Sequence, residues 1–270
     1  MNPRSPNARD LHPTDENLSV GTPDLGHPGL LPGRLLPRSF FEASPEQVAP
    51  RLLGKLLVHR TAAGVLAGRI VEVEAYLGPH SASPDPAAHA YRGPTPRNRV
   101  LFGPAGHAYV YLIYGISFCA NISCESEGRA GCVLLRALEP VAGAEQMARN
   151  RGVIPRSPNA RDLHPTDEHL SVGTPDLGHP KQLPGRLLTS GPSRLCQAMG
   201  LSRAAHNEMD VVDPASPLQV RDDGYAVTEA LVTRRIGIHE AVDLPLRFIL
   251  PGHGCVSGGK NLKGERIHFR

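Results

Sequence analysis

The stretch LAGRIVEVEAYL, residues 66–77, predicts a long β-strand in the first half of the chain. Apolar and polar residues alternate along it, and successive side chains of a strand point to opposite faces of a sheet. The face that we expect to pack against a core consists of Val71, Val73 and Ala75. The opposite face carries Glu72, Glu74 and Tyr76. Such a face is typical both of a solvated strand surface and of a site, and this run alone does not separate the two.

Other β-rich runs surround this strand, and their hairpin-like spacing dominates over βαβ units. The remaining predicted strands are residues 55–59, 109–114, 118–123, 132–138, 217–221, 227–234 and 247–251. The first predicted helix lies within residues 40–53, with Ser44 as its N-cap, Pro45 at its first position, a kink or restart at Pro50 and an end at Gly54. The other predicted helices are residues 140–150, opened by Pro140, and residues 191–199, capped by Ser190 or Ser193. The pattern predicts an α+β fold, a single domain with a mostly antiparallel curved β-sheet flanked by helices.

A long segment of the chain occurs twice, at residues 3–36 and again at residues 155–188. The copies differ only at Asn17/His169, Gly29/Lys181 and Leu30/Gln182. Both are dense in Pro, Gly, Asp and Ser without a helical or strand period, so neither is expected to have its own core. We predict that residues 1–36 form a disordered low-complexity tail and that residues 155–187 are a surface-loop insertion in a domain of residues 37–270. The alternative is a paired metal-binding arm that uses His12, His27, His164 and His179.

Composition is that of a globular protein, with 270 residues, 40% hydrophobic and 20% charged. The chain has no apolar run long enough to span a bilayer, so no membrane association is expected. Its five cysteines form no CxxC pair, which favours buried reduced thiols in a cytosolic protein over a zinc site. A net charge of +3 permits nucleic-acid binding without establishing it.

Aromatic residues are concentrated in one part of the chain. There is no Trp, aromatic residues make up 4%, and five of the six tyrosines fall between Tyr76 and Tyr114. A Pro-rich loop at residues 80–99 adds His89, Arg92, Arg97 and Arg99, which can approach phosphates. Stacking faces, a carboxylate and cations suit an enzyme that handles a nucleobase taken out of its stack. The alternatives are tyrosines that belong to the core and a solvated loop.

Two polar residues lie inside otherwise apolar predicted strands. Asn121 and Arg136 need hydrogen-bond or ionic partners, because a buried unpaired polar group costs about 1–3 kcal/mol. Arg136 could reach a carboxylate such as Glu74, in a structural or a catalytic role. The run LTSGPSR at residues 188–194 resembles a helix N-terminus at which Ser193 and Arg194 could meet a phosphate, and an ordinary capped helix is the equal alternative.

Several motifs in register resemble one known family, the alkyladenine (3-methylpurine) DNA glycosylases. They are IVEVEAYLG, TPRNR, YVYLIYG followed by NIS, CVLLRALEP, SGPSRLCQA, RIGI and PLRF. The resemblance covers roughly residues 40–155 and 188–257, nearly everything outside the repeats. It implies a monofunctional enzyme that flips a damaged purine out of duplex DNA and hydrolyses its N-glycosidic bond.

The resemblance also implies roles for individual residues. The catalytic base falls on Glu74, which activates a water held by the guanidinium of Arg136 and the backbone carbonyl of Ile236. The base-binding pocket falls on Tyr76, His89, Tyr111 and Asn121, of which Asn121 obstructs the exocyclic amine of guanine. The wedge that fills the vacated space in the duplex falls on Tyr114. Ile116 and Ser117 depart from the bulkier residues that relatives often carry there.

What this resemblance implies about partners is equally specific. The expected partner is double-stranded DNA containing damaged purines, bound by a monomer without metal or cofactor. The expected location is the cytoplasm, associated with the nucleoid in a bacterium, or the nucleus in a eukaryote.

Two other function classes stay open. Glu72 and Glu74 lie roughly 6–7 Å apart by strand rise, which a two-carboxylate hydrolase of nucleosides or sugars could use. A non-catalytic nucleic-acid-binding module would bind DNA with strong salt dependence but would leave the glycosidic bond intact.

Overall fold

A computed structural model describes residues 31–155, 182–183, 187–258 and 262–269. Most of both repeat copies lies outside the described residues, so the tail, the insertion and the alternative metal-binding arm stay predictions. The last residues of the first copy are described, and Arg34–Leu35 forms a strand that pairs with Arg221 and Asp222.

The described chain contains twelve strands and four α-helices. The strands are β1 (Arg34–Leu35), β2 (Leu56–Thr61), β3 (Gly64–Tyr76), β4 (Ala108–Ile113), β5 (Ser117–Cys124), β6 (Gly131–Ala142), β7 (Ile154–Pro155), β8 (Gln182–Leu183), β9 (Leu218–Asp222), β10 (Glu229–Thr233), β11 (Arg247–Ile249) and β12 (Glu265–His268). The helices are α1 (Pro45–Leu52), α2 (Ala144–Asn150), α3 (Pro192–Met199) and α4 (Arg203–His206).

The long strand β3 organises the main sheet, in which all described pairs are antiparallel. The order is β1-β9-β2-β3-β11-β10-β12, and β6 also pairs with β3 and carries the hairpin of β4 and β5. The first half of β3 pairs with β2, whereas its second half lies between β11 and β6. Register shifts occur along β3 and β6 around Glu72, where an extra residue bends the ladder. The predicted α+β class with a mostly antiparallel sheet is confirmed.

The predicted apolar face of β3 packs against the core. Val71, Val73 and Ala75 are fully buried in one cluster with side chains of α1 and α3, including Leu52 and Met199. Helix α1 continues through Pro50 to Leu52 and buries Val48, Ala49 and Leu52. The opposite face of β3 is not a solvated surface, because Glu72 and Glu74 are also fully buried.

One predicted helix start and one predicted helix cap were wrong. Strand β6 runs through Pro140, which lies opposite Gly68, and α2 begins only after Gly143 at a φ of 73°. A proline is as acceptable near the end of a strand as at the start of a helix, so Pro140 alone did not distinguish the two. Helix α3 follows Gly191, and neither Ser190 nor Ser193 caps it with its side chain.

The start of the second repeat copy lies beside a segment near its end. Ile154 pairs with Gln182 and Pro155 with Leu183 in a short parallel ladder.

The five cysteines are all buried free thiols, as predicted. None of the helices in the described ranges is long and apolar enough to cross a membrane.

Candidate active site

A cavity of about 700 Å³ opens where the end of β3 meets β4, β5 and β6. Two loops, around residues 86–97 and 236–240, and the first turn of α3 complete its wall. The predicted site residues that line it are Tyr76, His89, Arg97, Tyr111, Tyr114, Asn121, Arg136, Ser193 and Ile236. Residues separated by more than half the length of the chain therefore surround one space.

Glu74 lies directly behind the wall of this cavity. Its Oε2 accepts a hydrogen bond from the Tyr76 hydroxyl at 2.9 Å. Its Oε1 accepts one from the backbone N–H of Ile236 at 2.8 Å and lies 3.2 Å from Nη1 of Arg136. All three donor residues line the cavity, whereas Glu74 itself has no exposed surface. A carboxylate oxygen accepts about two hydrogen bonds, so Oε2 retains acceptor capacity beyond its bond from Tyr76.

The role expected of Ile236 involves its carbonyl, but the contact in the structure is made by its N–H. Strand β10 ends at Thr233, and the chain then turns so that Ile236 approaches Glu74. Ile236 is also 43% exposed, which places it at the boundary between the carboxylate and the cavity opening. The carbonyl role stays a prediction.

Glu72 is held by more donors than Glu74. Its oxygens accept hydrogen bonds from Nε of Arg136, from Nε of Arg247 and from both the backbone N–H and the hydroxyl of Ser257, all at 2.7–2.8 Å. Burial alone raises the pKa of this carboxyl, but the two guanidinium groups and Ser257 outweigh burial, and the pKa of Glu72 falls below its usual value. Glu72 is therefore a buried anion that anchors two cations.

The aromatic wall is a stack of rings in fixed contact. Tyr109 and Tyr111 are stacked at 5.2 Å between centroids, and His89 meets the Tyr111 ring edge-on at 4.6 Å. Nδ1 of His89 lies 3.0 Å from the Tyr109 hydroxyl, which holds the imidazole in place. Burial and then the charge of Arg97 lower the pKa of His89, which favours the neutral ring at neutral pH. Tyr109 is 1% exposed, so part of the tyrosine run belongs to the core after all.

Tyr76 faces the cavity on one side and a cation on the other. The guanidinium of Arg235 lies 4.6 Å from the centroid of its ring. Burial, followed by the charge of Glu74, raises the pKa of the Tyr76 hydroxyl well above its usual value. The phenol therefore keeps its proton and acts as a donor to Glu74.

Asn121 lies deep in the cavity with its amide oriented by the backbone. Its Nδ2 donates to the carbonyl of Tyr109 at 3.1 Å, and its Oδ1 faces Sγ of Cys132 at 3.9 Å. Burial raises the pKa of the Cys132 thiol to about 12, so the thiol remains protonated. One N–H of Asn121 is not used in that backbone contact, because an amide carries two.

Tyr114 lies at the tip of the β4–β5 hairpin and is 83% exposed. Its φ of 52° and the φ of 71° at Gly115 produce the tight reversal between the strands. Ile116, on the same tip, is equally exposed. Exposed large apolar side chains on a rigid hairpin beside a cavity suit insertion into a base stack.

The predicted phosphate-binding cations do not all reach the cavity. Arg97 lines it and lies 5.2 Å from the Tyr111 ring centroid. Arg99 is paired instead with Glu208 at 3.2 Å, and Arg194 donates to the carbonyl of Ser190. Arg92 is exposed on the loop outside the cavity lining.

Sequence reasoning missed the ion pair of Arg235 with Asp85 and the contacts of Arg247 with Glu72. Asp85 lies in the Pro-rich loop at residues 80–99, which is polar and was not expected to contribute to the core, yet Asp85 is fully buried. A signal was present in the RRIGI run, where two arginines precede a predicted site residue. Nothing local indicated the partner, which lies 150 residues away.

Known proteins resemble this chain over nearly its whole domain. Residues 39–254 match the model of the family described as Methylpurine-DNA glycosylase (MPG). A protein of Koribacter versatilis, named "Putative 3-methyladenine DNA glycosylase", is 46% identical over 227 residues, 84% of this chain and 95% of that protein. Proteins of the same name from Burkholderia cenocepacia and Methanoculleus marisnigri are each 43% identical over 228 residues. Those matches cover 84% and 82% of this chain and 93% and 98% of the relatives.

The family match covers most of the described domain, and the relatives are similar over almost their full length. The resemblance drawn from the motifs is therefore confirmed. The chain belongs to the methylpurine-DNA glycosylase family, whose members are hydrolases that cleave N-glycosyl bonds.

Proposed function

We propose that this protein is a monofunctional DNA glycosylase of base excision repair. It flips alkylated or deaminated purines out of duplex DNA and hydrolyses their N-glycosidic bond with a water activated by Glu74, leaving an abasic site. Its substrates include 3-methyladenine, 7-methylguanine, hypoxanthine and ethenoadenine. The observation that carries this proposal is a buried carboxylate whose three donors, Tyr76, Arg136 and Ile236, all line an aromatic cavity.

The cavity walls support recognition of a flipped base by stacking. Tyr76 and Tyr111 present rings to a space that is ample for a purine, and His89 contacts the Tyr111 ring edge-on. Stacking on an aromatic side chain contributes about 1–3 kcal/mol per base and tolerates many purine shapes. In this proposal, discrimination comes from the easy unpairing of damaged bases and from Asn121, to which we assign the obstruction of the exocyclic amine of guanine.

The chemistry needs little beyond a positioned water. The water attacks C1′ of the deoxyribose, its proton passes to Glu74, and the electron pair of the C1′–N bond leaves with the purine. General-base assistance of this kind contributes typically about 10²–10⁴-fold. The remaining acceptor capacity of Oε2 on Glu74 and the nearby guanidinium of Arg136 support placement of that water.

A two-carboxylate hydrolase is disfavoured by the surroundings of Glu72. Its two oxygens already accept four hydrogen bonds, and three of these come from Arg247 and Ser257, which lie outside the cavity lining, whereas all three donors to Glu74 line the cavity. A carboxylate that anchors two guanidinium groups in this way serves as a structural anion rather than as an acid or base for a substrate. A hairpin tip with Tyr114 exposed is likewise of no use to an enzyme of free nucleosides.

We infer that the partner is duplex DNA containing a damaged purine, engaged by a monomer. Tyr114 fills the space left by the flipped nucleotide, and Arg97 with Ser193 at the start of α3 approaches the phosphates beside the cavity. The protein then acts wherever the chromosome lies, in the cytoplasm of a bacterium or in the nucleus of a eukaryote.

One assay tests the proposal. Duplexes with a single hypoxanthine or methylated purine are incubated with the protein and then treated with alkali. We expect strand breaks only after alkali, abolished by Glu74→Gln with DNA binding retained, and unchanged by Glu127→Gln at an exposed position. Cleavage of free nucleosides alone would support a nucleoside hydrolase, and binding without excision a binding module. Full activity of Glu74→Gln would show that another group is the base.

A further inference from the structure

A fully buried ion pair lies behind the cavity wall. Nη2 of Arg235 donates to Oδ1 of Asp85 at 2.9 Å, and Nη1 donates both to Oδ2 of Asp85 and to the backbone carbonyl of Ala75. Neither side chain of the ion pair has exposed surface. Asp85 also accepts hydrogen bonds from the backbone N–H groups of Leu77 and Ala87, so the pair is tied to both the end of β3 and the following loop.

The pair backs the aromatic ring that we propose to stack on the flipped base. The guanidinium of Arg235 covers one face of Tyr76 at 4.6 Å, and because Arg235 is completely buried, the cavity lies on the other side of the ring. The next residue in the chain, Ile236, donates its N–H to Glu74. Arg235 therefore positions two parts of the site without touching a bound base.

A lone cation at this place would oppose a cationic ligand. An aromatic face attracts positive charge, but a cation already held on the opposite face repels a second one through the ring. Purines methylated at N3 or N7 carry a formal positive charge in DNA, whereas hypoxanthine and ethenoadenine are neutral. An unbalanced Arg235 would thus penalise the charged lesions selectively.

The buried charges around the cavity are balanced in the structure. In the wall and behind it lie three carboxylates and three guanidinium groups, those of Glu72, Glu74, Asp85, Arg136, Arg235 and Arg247. Removing the charge of Asp85 alone would leave one net positive charge next to the stacking ring. The effective dielectric constant near such a cavity is well below that of bulk water. The unbalanced charge of Arg235 would therefore act on a charged ligand on the other side of the ring.

We propose that Asp85 is a specificity-determining residue, which neutralises Arg235 behind Tyr76 and so allows the cavity to accept positively charged purines as well as neutral ones. This inference rests on the proposed glycosylase function. In this inference Arg235 positions Tyr76 and Ile236, and Asp85 sets the relative excision of charged and neutral purines.

The test compares single-turnover excision of 7-methylguanine, a cation, with that of hypoxanthine, a neutral base, from otherwise identical duplexes. In Asp85→Asn the ratio of the two rates is expected to fall about tenfold, the order of one charge–charge interaction across the ring. In Arg235→Gln, which leaves Asp85 negative, the ratio is expected to rise. In the double variant Asp85→Asn/Arg235→Gln, which restores neutrality, it is expected to return close to that of the unaltered protein.

The ratio distinguishes charge balance from a merely structural role. Loss of packing or of folded protein lowers both rates together, and a ratio unchanged in all three variants would overturn the inference while leaving the glycosylase proposal standing. If Asp85→Asn does not fold, Arg235→Gln and the double variant still differ by the charge of Asp85 alone, and equal ratios in those two would overturn it. If the unaltered protein excised neither lesion, the proposed function itself would be refuted.

Discussion

Nε of Arg136 lies 2.8 Å from Oε1 of Glu72, and this contact decides which edge of the guanidinium meets Glu74. With Nε directed at Glu72, Nη1 is left to approach Oε1 of Glu74 at 3.2 Å. Two carboxylates on one strand face thus have different surroundings. Glu72 accepts four hydrogen bonds and holds Arg136, whereas Glu74 adjoins the cavity through residues that line it.

Glu72→Gln is expected to destabilise the protein strongly. Removing one partner of a buried ion pair leaves uncompensated charge and costs about 3–5 kcal/mol, and Glu72 has two such partners, Arg136 and Arg247. Urea unfolding measures the change, and Glu127→Gln at the exposed turn serves as control. Unfolding at the same urea concentration as the unaltered protein would show that this network does not stabilise the fold.

A pair of buried histidines predicts a pH dependence of stability. Nδ1 of His59 donates to the carbonyl of Met199 at 2.7 Å, so its Nε2 accepts from Nε2 of His206 at 3.1 Å, an arrangement of two neutral rings. Burial lowers the pKa of both, and for His206 the charge of His59 lowers it further. A depressed pKa means that the unfolded chain binds protons first, so stability is full above about pH 6.5 and falls as the pH decreases toward the folded-state values.

His206→Gln is therefore expected to flatten the decline of stability between about pH 7 and 5. Urea unfolding at a series of pH values gives the slope. His80→Gln, at an exposed loop position, is the matched control and should keep the slope of the unaltered protein. An unchanged slope in His206→Gln would mean that other groups control stability in this range.

The sequence predicted which residues share the strand face of the candidate site, but it did not predict which residues pack on that face. Alternation along β3 placed Glu74 and Tyr76 on one face, because a strand has a fixed period of two. It could not show that this face is buried, since the residues that cover it, Arg247 and Ser257, come from the far end of the chain. Local patterns describe a strand well and describe poorly what packs on it.

The same limit explains two errors. Pro140 suits the start of a helix, but antiparallel pairing with β3 holds the chain extended as far as Ala142. The loop that contains Asp85 is polar and Pro-rich, yet the guanidinium of Arg235 makes burial of that carboxylate favourable. In both places tertiary contacts outweighed local preference.

Tyr114→Ala is expected to impair excision from duplex DNA with little change in stability. The side chain is 83% exposed, so its loss removes almost no packing, and surface substitutions usually change stability by less than about 0.5 kcal/mol. Loss of one aromatic stacking contact of about 1–3 kcal/mol corresponds to a decrease of roughly fivefold to 150-fold in excision. Tyr225→Ala, in a separate groove, is the control. An equal loss on single-stranded substrate would argue against a role in filling the duplex.

The salt dependence of DNA binding separates the arginines of the loop. Each phosphate contact contributes a slope of about −0.9 in log K against log salt concentration. Arg92→Ala is expected to reduce the magnitude of the slope by about 0.9, the contribution of one phosphate contact. Arg99→Ala is expected to change the slope less, because Glu208 already pairs with Arg99. Fluorescence anisotropy at several salt concentrations gives both values. A larger effect from Arg99 would mean that its ion pair opens on DNA.

Replacing residues 156–181 with a short Gly/Ser linker is expected to preserve both fold and excision. Pro155 ends β7 and Gln182 begins β8, the neighbouring strand of a parallel ladder, and because neighbouring strands lie about 4.8 Å apart and each has only two residues, a short linker can return from the end of one to the start of the other. Shortening the loop about fourfold changes the closure entropy by roughly 1 kcal/mol in favour of the folded state. The contrasting variant is Leu188→Ala, at the end of the same repeat copy, where the side chain is 2% exposed in the main core and truncation costs about 2–5 kcal/mol. Urea unfolding and excision rates measure both variants. If the shortened chain lost stability as Leu188→Ala is expected to, the repeat would be part of the folded domain rather than an insertion into it.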